Sequence, residues 1–265
     1  MSGVRPAAVA DRFYPGDPHE LELAVRSYLE DARVDQDPRE PAPKALIVPH
    51  AGYLYSGPVA ASAYVACESA RGRIERVVLF GPSHRVPLRG LAAPGGDAFA
   101  TPLGPVRLDR ASLDRILALS QVIRLDRAHA LEHSLEVQLP FLQLVLGDFA
   151  LVPLVVGEAT PGEVAEVLAL LWGGPETLVV VSSDLSHYLD YETALFRDRA
   201  TTRAIEALRG EDVGLDDACG RIPIQGLLLE ARRRGLAVRT LDLRSSGDTA
   251  GPRYSVVGYG AYALS

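Results

Sequence analysis

The sequence predicts an α/β protein, a sandwich with a central mixed sheet flanked by helices. Three observations carry this. Strand-like apolar runs alternate with helical patterns along the chain. The runs at 44–48, 76–80, 149–156 and 177–181 are almost continuously apolar, as strands covered on both faces are. The last two runs, 236–243 and 254–263, leave too few residues between them for a helical crossover, so the sheet should not be wholly parallel.

Asp17-Pro18 is a helix-start signal, and residues 20–29 place apolar side chains at helical spacing. The run 44–48 reads as a strand ending at Pro49-His50. Residues 57–67 are small and apolar and suit a buried helix. The run 76–80 is a second strand, ending in Gly81-Pro82-Ser83-His84. Residues 90–108 are rich in Gly and Pro with short β-like pieces. Residues 111–119 and 133–146 read as helices around that region's end, and 149–156 as a third strand. Residues 163–172 form a helix, and 177–181 a fourth strand ending in Ser182-Ser183-Asp184. Helices at 191–208 and 225–234 precede the closing strands.

The 265 residues are 48% hydrophobic and 23% charged, which excludes a disordered, collagenous or coiled-coil chain and supplies a sizeable core. No repeat or low-complexity block divides the chain. The only linker-like stretch, 35–43, lies too near the N-terminus to separate two domains, so one domain over 1–265 is expected. A net charge of −7 argues against binding nucleic acid through bulk charge. No apolar run approaches a membrane span, and Met1 to Pro18 lacks the apolar region of a signal peptide. Two cysteines, Cys67 and Cys219, are too few for a disulfide framework, so a cytoplasmic protein with free thiols is expected. Lys44 is the only lysine and asparagine is absent, a bias that suits a GC-rich bacterial gene.

The candidate chemistry sits at strand ends. Ligands of open α/β sheets bind outside the carboxyl ends of strands. Three such ends carry catalytic residue types: His50, His84, and Asp184 with His187 behind it. The chain has only six histidines, so this concentration is informative. His50 and His84 are 34 residues apart, about one strand–helix–strand unit, and neighbouring strands could hold both as metal ligands. The alternatives are a strand-end histidine bonded to a loop carbonyl and a turn residue. Gly52 and Gly57 allow close backbone approach.

His133 and Glu136, in Glu132-His133-Ser134-Leu135-Glu136, are spaced i, i+3 on one helical face, as in metal-binding helices. A solvated helix start is the alternative. Asp184 and His187 repeat that spacing, so the carboxylate could orient His187 and raise its basicity, or cap a helix. Cys219, in Ala218-Cys219-Gly220-Arg221, precedes a helix. A thiol near a helix N-terminus and an arginine is expected to have a lowered pKa and to serve as ligand or nucleophile. Cys67 reads as core. No P-loop, G-x-G-x-x-G helix start or G-x-S-x-G elbow is present.

Five ordered motifs together resemble the Memo family, whose prokaryotic members are called AmmeMemoRadiSam system protein B. They are Pro49-His50-Ala51-Gly52-Tyr53 with Tyr55-Ser56-Gly57, Gly81-Pro82-Ser83-His84, Glu132-His133-Ser134-Leu135-Glu136, Ser182-Ser183-Asp184-Leu185-Ser186-His187, and Cys219-Gly220-Arg221. The resemblance runs from Phe13-Tyr14 to the closing strand. It implies a fold similar to class III, LigB-type extradiol dioxygenases. It also implies a metal pocket of His50, His84 and Cys219, with His187 and His133 beside it. Fe(II) is the metal implied first, with copper or zinc as alternatives, and AMMECR-type and radical SAM proteins are the implied partners. The sequence departs from animal members in having Ile222 after Cys-Gly-Arg. LigB enzymes use a carboxylate as third ligand. A thiolate there is softer and favours copper, zinc or thiolate-ligated iron, unless Glu136 or Asp184 reaches the metal.

Two functions follow. One is a non-haem, metal-dependent oxidoreductase acting on a small molecule, with His187 as a base oriented by Asp184 and His133 stabilising negative charge. The other is a non-enzymatic iron- or copper-binding adaptor. Hydrolysis by a zinc-activated water fits the ligand types but not the resemblance.

Overall fold

The computed structural model describes residues 3–35 and 40–265. The first two residues, and residues 36–39 of the linker-like stretch, lie outside them. In chain order come β1 (Val4–Arg5), α1 (Pro18–Ala32), β2 (Ala45–Val48), α2 (Tyr53–Val65), β3 (Arg76–Pro82) and β4 (Leu91–Ala93). Next are β5 (Ala98–Thr101), β6 (Gly104–Arg107), α3 (Arg110–Ile116), β7 (Val122–Arg124), α4 (Asp126–Ala130), α5 (Leu139–Leu146) and β8 (Ala150–Val156). The remainder holds α6 (Pro161–Leu171), β9 (Thr177–Ser182), β10 (His187–Leu189) and α7 (Tyr191–Glu206). It closes with α8 (Arg221–Arg234), β11 (Val238–Ser245), α9 (Ser246–Thr249) and β12 (Val256–Leu264).

The sheet is mixed, as expected, and has nine strands in the order β10-β12-β2-β9-β3-β8-β4-β7, with β11 also on β12. Its centre, β2-β9-β3-β8, is parallel. Every residue of β2, β8 and β9 is buried, which is why these strands are apolar without alternation. β12 runs antiparallel to both β11 and β2. A small second sheet, β1-β5-β6, joins the N-terminal segment to residues 98–107, while β4 of the Gly- and Pro-rich region lies in the main sheet.

Helix boundaries follow local chemistry. The Asp17 carboxylate caps α1 by accepting from the amides of His19 and Glu20, with Pro18 at the first turn. Leu21, Val25 and Leu29 make one buried stripe on α1. That stripe packs on α2 closely enough that a Cβ on Gly57 would lie 2.8 Å from the Tyr28 ring. Gly57 therefore serves helix packing rather than a ligand. The helix expected over 133–146 begins only at Leu139, after a 3-10 turn at Glu136–Gln138. Pro140 fits its first turn, and the turn before it is held by the Glu132 carboxylate, which accepts from the amides of His133 and Ser134.

The register sets the site. Val48 pairs with Ser182, and Phe80 with Val181. His50 and Asp184 thus stand level, two residues past β2 and β9, while His84 follows β3 on the other side of β9.

Candidate metal centre

The three strand ends meet in one cleft of about 1040 Å³, whose lining includes His50, His84, His133, Asp184, His187 and Cys219. These six candidates from the sequence therefore come together, while a seventh, Glu136, does not join them. His50, His84 and His133 each offer a nitrogen within 4.8 Å of the others, a group that could hold a metal ion. Their ring centroids are 4.6–5.4 Å apart.

His50 is buried at the end of β2. Its Nδ1 lies 2.9 Å from Ser182 Oγ. That hydroxyl donates to the Ser134 carbonyl at 2.6 Å and accepts from Gln138 Nε2 at 2.7 Å. Gln138 is fixed in turn, because Nε2 also donates to the Pro49 carbonyl and Oε1 accepts from Tyr64. With its one proton committed, the hydroxyl can only accept from His50, so Nδ1 carries the ring proton and Nε2 is left as an acceptor. Cys219 Sγ lies 3.2 Å from that Nε2. Burial holds the His50 imidazole well below the usual histidine pKa, and the neighbouring histidines push the same way.

His84 is oriented by a carboxylate. Glu132 accepts from the His84 amide at 2.7 Å and from Nδ1 at 2.9 Å, and also from the amides of His133 and Ser134. Burial raises the Glu132 pKa, but hydrogen bonds from His84 and Ser134 outweigh it and bring it down to about 2. The ionised carboxylate thus requires Nδ1–H on His84, and Nε2 is free to ligate.

His133 follows in the same turn, held against the end of β3. A Cβ on Gly81 would come within 2.6 Å of Ser134 Oγ, so glycine is what lets the turn approach. His133 Nδ1 is buried without a hydrogen-bond partner. Burial lowers its pKa to about 4. At neutral pH His50 and His133 are therefore uncharged, with lone pairs available. Crowded imidazoles, two of them with Nδ1–H assigned so that Nε2 faces the cluster, fit a bound cation.

Two expectations are corrected. Glu136 does not share a face with His133 and does not reach the cleft. Its buried carboxylate accepts from Arg5 Nη1 at 2.6 Å, from the amides of Ala8 and Val9, and from the Tyr14 hydroxyl at 2.6 Å. The reason is that residues 132–135 are non-helical, so positions 133 and 136 do not fall on one helical face. Nor is the Cys219 thiol acidified. Burial beside Asp184 pushes its pKa up to about 12. Asp184 accepts from the His50 amide at 2.6 Å. Burial raises its pKa to about 6, against the pull of the His50 and Ala51 amides. His187 opens β10 on the cleft wall. Cys67 is core, as expected.

Sequence reasoning gives no role to the supporting residues Ser182, Gln138 and Phe13, although Ser182 and Phe13 lie in quoted stretches. Glu132 sits in a quoted motif, and a carboxylate beside a histidine at a strand-end cluster is the signal that would have marked it.

No described helix is long and apolar enough to cross a membrane. A solved structure, the uncharacterized protein JW3007 from Escherichia coli K12, aligns with TM-score 0.54 at 13% identity. The alignment covers 82% of this chain and 98% of that one, and it supports the α/β fold alone. MEMO1 family proteins of Saccharolobus islandicus strain M.14.25 and Sulfolobus acidocaldarius are 38% and 37% identical. These alignments span 96% and 97% of this chain and 97% of each relative. A family model described as Memo-like protein matches residues 5–263. On a match of that extent, the chain belongs to the Memo family.

Proposed function

We propose that the protein is a metal-dependent oxidoreductase of dioxygenase type, with Fe(II) held by His50, His84 and His133 and Cys219 as the adjacent soft donor. The observation that carries this reading is the cluster of three imidazoles whose donor atoms lie within 4.8 Å of one another. Bound Fe(II) would supply the redox chemistry with O₂. The protein's part is to orient the rings through Ser182 and Glu132 and to leave a cleft beside them for a small molecule. In this reading His187 takes a proton from a substrate hydroxyl. Asp184, buried and bonded to the His50 amide, fixes the floor of the site.

One observation favours a second reading. A thiol 3.2 Å from His50 Nε2 suits Cu(I), and a copper- or iron-binding adaptor working with AMMECR-type and radical SAM partners would need no substrate. Elemental analysis of untagged protein purified without added metal, with an oxygen electrode and catechol, separates the two. Stoichiometric iron with O₂ uptake supports the oxidoreductase. Copper, or no uptake after anaerobic Fe(II) loading, overturns it in favour of the adaptor.

A further inference from the structure

The three histidines are oriented by unlike means. His50 is held by the Ser182 hydroxyl and His84 by the Glu132 carboxylate. His133 has no hydrogen bond at Nδ1, which is buried. Glu132 Oε1 is 3.4 Å away without making one. The torsion that turns an imidazole is broad and sets no angle by itself, so something else must fix this ring. Two rings touch it. His84 stacks on one side, with centroids 4.6 Å apart and planes at 24°. Phe13 packs at 4.7 Å and 42°.

Phe13 is itself firmly placed. Asp11, in the left-handed region at φ 62°, turns the chain. The amides of Phe13 and Asp11 donate to the carbonyls of Val9 and Tyr14, at 2.9 and 2.8 Å. The Phe13 carbonyl accepts from the Tyr53 amide at 2.7 Å. Behind the turn, Glu136 grips Arg5, Ala8, Val9 and Tyr14. Glu136 is three residues past His133, so one short stretch both supplies the third imidazole and clamps the segment that covers it.

We propose that Phe13 is the positioning residue for His133, and that the N-terminal segment 5–16 is thereby part of the metal centre. The inference rests on the three-histidine reading above. It predicts that ring character at position 13, rather than bulk, sets metal affinity.

The test is a Co(II) titration of apoprotein followed by visible absorption, for wild type, H133A, F13Y, F13L and F13M. Wild type should bind one equivalent, and F13Y, which keeps the ring, should match it within about twofold. F13L and F13M keep apolar bulk without a ring and should bind about 10-fold more weakly, as loss of an outer-shell partner does. Their ligand-field bands should also shift toward those of H133A, a change that a merely structural role would not produce. Either ringless variant, folded by circular dichroism, with wild-type affinity and bands while H133A loses both overturns the inference. A wild type that takes up no Co(II) overturns the three-histidine reading and this inference with it, so the two failures are told apart.

Discussion

Asp198 offers a prediction with a sign that runs against intuition. It lies on α7 and is 3% exposed. Its Oδ1 accepts from the Ser186 amide at 3.0 Å, and Oδ2 packs on Gly258, where a Cβ would be only 1.9 Å away. Burial raises its pKa from 3.8 to about 6, against the pull of hydrogen bonds from Ser186, with Asp217 adding and Arg197 opposing. Because the folded state binds this proton more tightly than the unfolded chain, the group is a burden above pH 6. That burden lifts as pH falls from about 6 toward 3.8. At 1.36 kcal/mol per pKa unit, the ionised carboxylate costs at most about 3 kcal/mol. D198N removes the charge, and the new amide can still accept from Ser186 N. Urea denaturation of D198N and wild type at pH 8, 6 and 4.5 tests this. D198N should be the more stable at pH 8 by roughly 1–3 kcal/mol, with the gap narrowed to about a third of that at pH 4.5. A gap independent of pH, or a less stable variant at pH 8, refutes the reasoning.

Other outcomes follow from the same geometry. E132Q should lower metal affinity about 10–100-fold by unfixing the His84 tautomer, read as chelator competition. S182A, which removes the acceptor for His50 Nδ1, should weaken binding less, about 10-fold, and leave the fold intact by circular dichroism. G57A drives a methyl into the Tyr28 ring and should cost about 1–3 kcal/mol in thermal or denaturant unfolding, with metal affinity unchanged.

Much of the site is legible because parallel strands deliver their carboxyl ends to one edge. The almost continuously apolar runs before His50, His84 and Asp184 mark three buried strand ends that carry chemistry, although the sequence places His50 and His84 on neighbouring strands and the sheet puts β9 between them. What is not legible is anything decided by a turn. His133 to Glu136 has helical spacing, but the chain turns there and becomes α-helical only from Leu139. This sends His133 into the cleft and Glu136 to the N-terminal segment. The thiol of Cys219 misleads for a related reason. Proximity to a helix start and to Arg221 is visible in sequence, while the burial that outweighs both is not. Short strands such as β7 and β10 are also invisible. Three residues cannot establish a period, and their pairing partners lie far along the chain.

The order of the central strands has a consequence for biosynthesis. β2 and β3, which carry His50 and His84, are not paired with each other; β9 fills the slot between them. That strand leaves the ribosome some hundred residues after β3. Until it arrives, a nascent chain holds both histidines with no sheet to bring them together, and Ser182, which sets the His50 tautomer, does not yet exist. Non-local pairings of this kind form late and slowly. Cation capture is thus deferred until the chain is nearly whole, so a truncated product should bind metal no better than a peptide with scattered histidines.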